Sequence, residues 1–266
     1  MNKITQAVTE NNNALLDFFN QWLSFGNGLR PVPGQQAAKI YCKKRMDMVS
    51  LSSGTDNDRP VRCLIRNEET QENKRMNSLI DEITQYVIQQ SEKYKKESDD
   101  SYDFWNEHIR YVYREALELA QRYHADMEIV ALGALLHDIA LIEKAGGRKD
   151  HHLNGKTLSA RILDSFSCPE ETKEKVLGCV LHHRSARNAV NIEELCVCDA
   201  DILAHFDNIP MLFNSAFNRH GVSLNEVREW MRASFEHDFD DLSDRTKEIF
   251  RERYNTIRSV ILGDIQ

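Results

Sequence analysis

The stretch "IVALGALLHDIALIEK", Ile129–Lys144, carries the central question of this sequence. It is an apolar run that belongs inside a folded domain, yet His137 and Asp138 stand in its middle. An imidazole and a carboxylate are costly to bury unless they are paired, hydrogen-bonded or bound to a metal. Asp126, just upstream, has the side chain of a helix N-cap, and Gly146-Gly147 supplies a stop, so the stretch reads as one helix between them.

Outward from that helix the pattern stays helical. Ile109, Val112, Ala116, Leu119, Ala120 and Tyr123 form an apolar stripe at helical spacing. "HHLNGKTLSARILDSF" is a further helix. Pro169 followed by Glu170 and Glu171 marks the start of the one carrying "KEKVLGCVLHH". "EELCVCDADILAHF" comes next, "SLNE" (Ser223–Glu226) has the spacing of a capping box, and "LSDRTKEIFRERYNTIRSVIL" is a long closing helix. Met76, Leu79, Ile80, Ile83 and Val87 predict an amphipathic helix over about 73–96. The Ser-rich, charged "SEKYKKESDDS" places a soft boundary near residue 98. Before it, "NALLDFFNQWLSF" reads as a short helix, "GNGLRPVPG" as a break, and "SSGTDNDRPVRCLIRN" as a turn followed by a short strand. The expected fold is all-α: a helical domain over 99–266 behind a mostly helical extension over 1–98.

Composition narrows the partners. The net charge is −8, with 29% charged residues. That argues against a polyanion binder, whose affinity comes from clustered Lys and Arg. Residues 2–13 lack the apolar core of a signal peptide, and no apolar run reaches the roughly 18 residues of a membrane span. The six cysteines show no C-x-x-C spacing and read as reduced thiols of a cytoplasmic protein. Cys196 and Cys198 read as small buried side chains rather than metal ligands.

The ten histidines are unevenly placed. His108 lies one turn before Val112, on the buried side of its helix. His151 and His152 open a helix, His182 and His183 end one, and Asp199 and Asp201 follow on the next. One divalent cation would compensate such groups together, and imidazole with carboxylate suits Mn, Fe, Co, Ni or Zn. Ligands arriving from several helices are how sites inside bundles are built. His124, His205, His220 and His237 read instead as ordinary hydrogen-bonded residues. The second His-Asp pair, His237-Asp238 in "EHDFDD", has acidic and polar neighbours and reads as a solvated face or a helix-start region.

Taken in order, His108, His137-Asp138, a His pair, a second His pair and Asp-x-Asp resemble the HD-domain metal-dependent phosphohydrolase superfamily. "EHIRYVYREALELAQRYHADMEIVALGALLHDIA", "HHLNGKTLSARIL", "VLHHRS" and "CDADIL" carry the resemblance over about residues 100–262. It implies an HD-type helical bundle with His108, His137, Asp138 and Asp201 as core metal ligands. Helical phase favours Asp199 over Asp201; the motif favours Asp201. Members with two metals imply His151, with His152 the fallback, and His182 or His183 as further ligands. One or two ions are implied, Mg also being compatible. The implied reaction is hydrolysis of a phosphate ester of a nucleotide or other small phosphorylated molecule, with Asp138 catalytic and Arg184 contacting substrate. Arg148, Lys149 and Arg187 read as solvated charges.

Two departures limit the resemblance. Leu141 stands where some two-metal branches, the oxygenase-like ones included, have Lys. "RSARNAVN" after "VLHH" lacks the glycine-tyrosine-proline signature of the branch that hydrolyses cyclic dinucleotides. Other readings of the same residues are a non-catalytic nucleotide- or metal-binding module, and a di-iron oxygenase on the same scaffold. A homo-oligomer is compatible with the sequence.

Overall fold

In the computed structural model the described residues are 59–99, 102–219 and 223–263, with side chains described over 74–99, 102–217 and 223–263. Helices fill them in the order α1 (Arg59–Glu97), α2 (Arg110–Tyr123), α3 (Met127–Leu136), the short α4 (Ile139–Ile142), α5 (His151–Ser165), α6 (Glu170–His182), α7 (Ile192–Asp207), α8 (Ile209–Arg219), α9 (Leu224–Asp241) and α10 (Asp244–Leu262). No strand occurs among the described residues, as the all-α reading requires. The helix expected from Asn13 and the break after it lie outside them.

The chain divides into two units, Met1–Thr70 and Gln71–Gln266. Of the first, only the helical backbone of residues 59–70 is described. The boundary expected near residue 98 falls inside the second unit, because Met76, Leu79, Ile83 and Val87 of α1 belong to its buried core. Residues 60–66, expected as a short strand, are the start of α1 instead. Pro60 sits in the first turn, where its missing N–H has no partner to lose. The Arg-, Leu-, Glu-, Gln- and Lys-rich run after it favours helix.

Sequence signals set most helix ends. Asp126 Oδ1 accepts from the N–H groups of Glu128 (3.0 Å) and Ile129 (3.3 Å), two of the donors a helix start leaves unpaired. Ser223 and Glu226 form the expected capping box on α9. Ser243 caps α10, and Gly263, with φ +69°, ends it.

α7 is the central helix. It touches α2, α3, α6, α8, α9 and α10, and residues on all its sides are buried. α3 crosses α6 and α7 at Gly133. A Cβ there would lie 2.7 Å from Cys179 Cβ and 3.1 Å from Val197 Cγ2. Gly133→Ala gains helix propensity but overpacks this crossing, and overpacking costs about 1–3 kcal/mol. The variant is expected to melt below the parent in a thermal scan; an equal or higher Tm would show that the crossing has slack.

Candidate metal centre

The apolar stretch does not continue as one helix to Gly146-Gly147, as its composition suggested. α3 ends at Leu136; His137 is its C-cap, and Asp138 leaves helical geometry at φ −105°, ψ 15°. The chain then makes the single turn of α4, and positive φ at Lys144 and Gly146 turns it away. On an unbroken helix neighbouring side chains diverge by about 100°. The break lets His137 and Asp138 face one point.

Three histidines are presented by the same local device. The carbonyls at a helix C-terminus lack intrahelical donors, and an imidazole at the cap can supply one. His137 Nδ1 donates to Ala134 O (2.8 Å), His183 Nδ1 to Val180 O (2.7 Å), and His151 Nδ1 to Arg148 O of the Arg148–Asp150 turn (2.7 Å). With Nδ1–H engaged, such a ring in its neutral form has its lone pair on Nε2. A carbonyl behind a ligating imidazole is the usual means of fixing tautomer and ring orientation. His108 comes from the π-helical turn Trp105–Ile109 before α2, a distortion frequent at functional sites.

The four elements converge on Asp138. His108 Nε2 lies 3.2 Å from His137 Nε2, 3.0 Å from Asp201 Oδ1 and 3.7 Å from Asp138 Oδ2. His137 Nε2 lies 3.8 Å from Asp138 Oδ2 and 3.7 Å from Asp201 Oδ1. The other carboxylate oxygen serves a second group: Asp138 Oδ1 is 3.2 Å from His151 Nε2 and 3.8 Å from His183 Nε2, and those two nitrogens are 2.9 Å apart. Donors of one ion bound at about 2.1 Å lie about 3–3.5 Å apart, so these separations fit a metal.

The electrostatics agree. Burial alone would raise Asp138, but His137, the His151 hydrogen bond and His108 hold its carboxyl well below the usual range. Burial likewise opposes ionisation of Asp201, and its bond to His108, with His137 and His183 nearby, outweighs that. Burial and then His137 push His183 down to about 4, leaving a neutral ring. The Nε2 atoms of His151 and His183 both face the same 2.9 Å gap while both Nδ1 atoms donate backward. Lone pairs opposed in this way call for a proton or a cation between them. No sulfur joins the groups able to hold a metal among the described residues; Cys196 and Cys198 are buried side chains.

Not every candidate residue reaches the cluster. His182 turns aside, its Nδ1 2.8 Å from Glu194 Oε2, while buried Glu194 also accepts from the N–H of Val190. His152 packs edge-on against His151, with ring centroids 5.9 Å apart, and belongs to none of the groups able to hold a metal among the described residues. Asp199 faces α10, accepting from Ser243 N (2.8 Å), Ser243 Oγ (2.5 Å) and Thr246 Oγ1 (2.5 Å). Arg184 donates from Nη1 to Lys149 O (3.0 Å), near enough to His151 to act on its charge. Arg187 is exposed and pairs loosely with Asp241.

Sequence reasoning passed over two residues that lie at the edge of the cluster. His205 stacks on His108 with centroids 6.0 Å apart, and its Nδ1 is 3.0 Å from Asp238 Oδ2. Burial lowers its pKa, but Asp238, with Asp201 and Asp138 behind, raises it to about 9. One signal was present: His205 follows Asp201 by four residues, one turn along α7. His237, beside Asp238, stays exposed. His220 lies outside the described residues.

Comparison with known proteins agrees with this fold. The HD domain family model matches residues 106–205. An HD-superfamily hydrolase from Bacillus thuringiensis superimposes with TM-score 0.53 at 18% identity, covering 70% of this chain and 94% of its own. A Listeria innocua protein does so with TM-score 0.52 at 19% identity, covering 71% and 94%. Among curated proteins no relative matches the chain. The matched segment contains the backbone break at His137-Asp138, and residues 106–205 of this chain match the HD domain family model.

Proposed function

We propose that the chain is a metal-dependent phosphohydrolase acting on a small phosphorylated molecule, with nucleotides the favoured class. The observation that carries this reading is the double use of Asp138. Its Oδ2 faces His108 and His137 and its Oδ1 faces His151 and His183, so one carboxylate joins two donor groups. A pair of divalent cations held there would polarise a phosphoryl oxygen and make hydroxide available near neutral pH.

The chain's own residues complete the site. The carbonyls of Ala134, Arg148 and Val180 hold three rings in position and fix their tautomers. Asp138 and Asp201, kept ionised, supply the negative charge that favours cations over protons. Arg184, anchored through one nitrogen to Lys149 O, retains N–H groups to meet a phosphate in its planar fork.

The test is elemental analysis of the purified protein, paired with a screen of phosphomonoesters, nucleoside triphosphates and cyclic nucleotides supplemented with Mn, Co, Ni or Mg. Bound transition metal with metal-dependent phosphate release is the expected result. A metal-free protein with a blank screen would sink the reading. Within it, His182 and His183 separate. His183→Ala is expected to weaken metal binding by at least about tenfold, the scale on which ligand-shell changes act. His182→Ala, which frees Glu194 and touches no donor of the cluster, should leave metal affinity within error in a calorimetric titration.

A further inference from the structure

We propose that His205, oriented by Asp238, is an additional protein ligand of the cation held by His108, His137, Asp138 and Asp201, and tunes that site toward nitrogen-preferring transition ions. This rests on the metal-site reading above but not on the reaction assigned to it.

Three observations place the ligand. One donor atom each of His108, Asp201 and His205 lie within 4.8 Å of one another. Those atoms form one group that could hold an ion, and His108 also belongs to the group with His137 and Asp138, so the two groups share that ring. The Nδ1 of His205 is engaged by Asp238 Oδ2 at 3.0 Å, which leaves Nε2 to bind. A carboxylate behind a histidine is the arrangement that orients ligating imidazoles and raises their basicity. His205 is also one turn beyond Asp201 on α7, so the helix carries both donors on one face.

The consequence is chemical. Without His205 the site has two imidazoles and two carboxylates, a set that oxygen-preferring Mg can share. A third imidazole shifts the preference toward Co, Ni, Zn, Fe or Mn, because Mg favours oxygen donors and dehydrates reluctantly. Asp238 comes from α9, so that helix supports the centre although it lies beyond the segment matched by the family model.

Chelator-stripped full-length protein titrated with Co, followed by visible absorption, reads this directly. Magnesium is titrated in parallel by calorimetry, and His137→Ala serves as the control that removes a core ligand. His205→Ala is expected to weaken Co binding by at least about tenfold and to change the absorption envelope, with Mg affinity unaltered. His205→Gln keeps a partner for Asp238 but offers no imidazole and should behave alike, which guards against a folding defect. Asp238→Asn should weaken Co binding in the same direction. Wild-type affinity and spectrum in both His205 variants, with His137→Ala impaired, overturns the proposal and leaves the core site standing. Failure of the parent to bind Co overturns both. His205-dependent Co binding without any phosphate release leaves this inference intact and removes the phosphohydrolase reading.

Discussion

Asp138→Asn is expected to lower metal-dependent phosphate release by more than about a hundredfold, beyond the 10–100-fold scale on which even a partner behind a ligand acts. The change preserves shape and removes charge. It strips the negative charge from two donor groups at once, since Oδ2 faces His108 and His137 and Oδ1 faces His151 and His183. An amide keeps one oxygen, so one group retains a weak donor and the other meets an N–H₂ directed at imidazole lone pairs. Elemental analysis should therefore show less than the parent's metal content, with far-UV circular dichroism unchanged. His137→Ala should act through one group only: it removes a fully buried ring and its bond to Ala134 O. A variant Asp138→Asn with parental turnover and metal content would show that the carboxylate does not join the two groups.

The sequence made some of this legible and hid the rest for identifiable reasons. Helix ends set by local chemistry, such as Asp126 and the Ser223–Glu226 box, were readable because their partners lie within a few residues. The break at His137-Asp138 was legible only as a requirement, since neighbours about 100° apart on a helix can meet one metal only at a helix end or a bent turn; its position was not. Ile139–Ile142 continues the apolar run, and nothing local says that the chain leaves helical geometry at Asp138. His205 was hidden because its partner is Asp238, 33 residues away on another helix, and because the acidic run around Asp238 looks solvated until α9 is packed against α7.

The choice between His182 and His183 needed the helix end. Only the residue at the cap can return Nδ1 to the carbonyl three residues back, and that residue is His183. Asp199 and Asp201 were harder still. Helical phase assigns the inward side chain when one face of a helix is buried and the other wet. α7 is buried on all sides, so phase toward Leu195, Ile202 and Phe206 could not decide between two aspartates about 200° apart. Asp201 meets His108, and Asp199 meets α10.

That opposition yields the second large effect. Asp199→Ala is expected to destabilise the fold while leaving metal binding alone. The carboxylate is fully buried and accepts from Ser243 N, Ser243 Oγ and Thr246 Oγ1, fixing the first turn of α10 to the central helix. Burial pushes its carboxyl up, against the pull of those bonds. Its removal strands the N–H of half-buried Ser243 and two hydroxyl contacts, and a donor left unmet away from water costs about 1–3 kcal/mol. The hydroxyls lose less, because Ser243 Oγ lies 3.2 Å from Thr246 Oγ1 and Tyr123 Oη lies 2.7 Å from it. A loss near the top of that range is about 3 kcal/mol, which in a domain of this size lowers Tm by roughly 6–12 °C. Asp199→Asn keeps an acceptor for the backbone N–H and should lose only about 1 kcal/mol. Asp201→Asn should do the reverse, weakening metal binding with little change in the melting of the metal-free protein, because its partner His108 is itself a donor of the cluster. Calorimetric melts and Co titrations of the three variants separate the roles. Loss of Co binding in Asp199→Ala at an unchanged Tm would exchange the two aspartates.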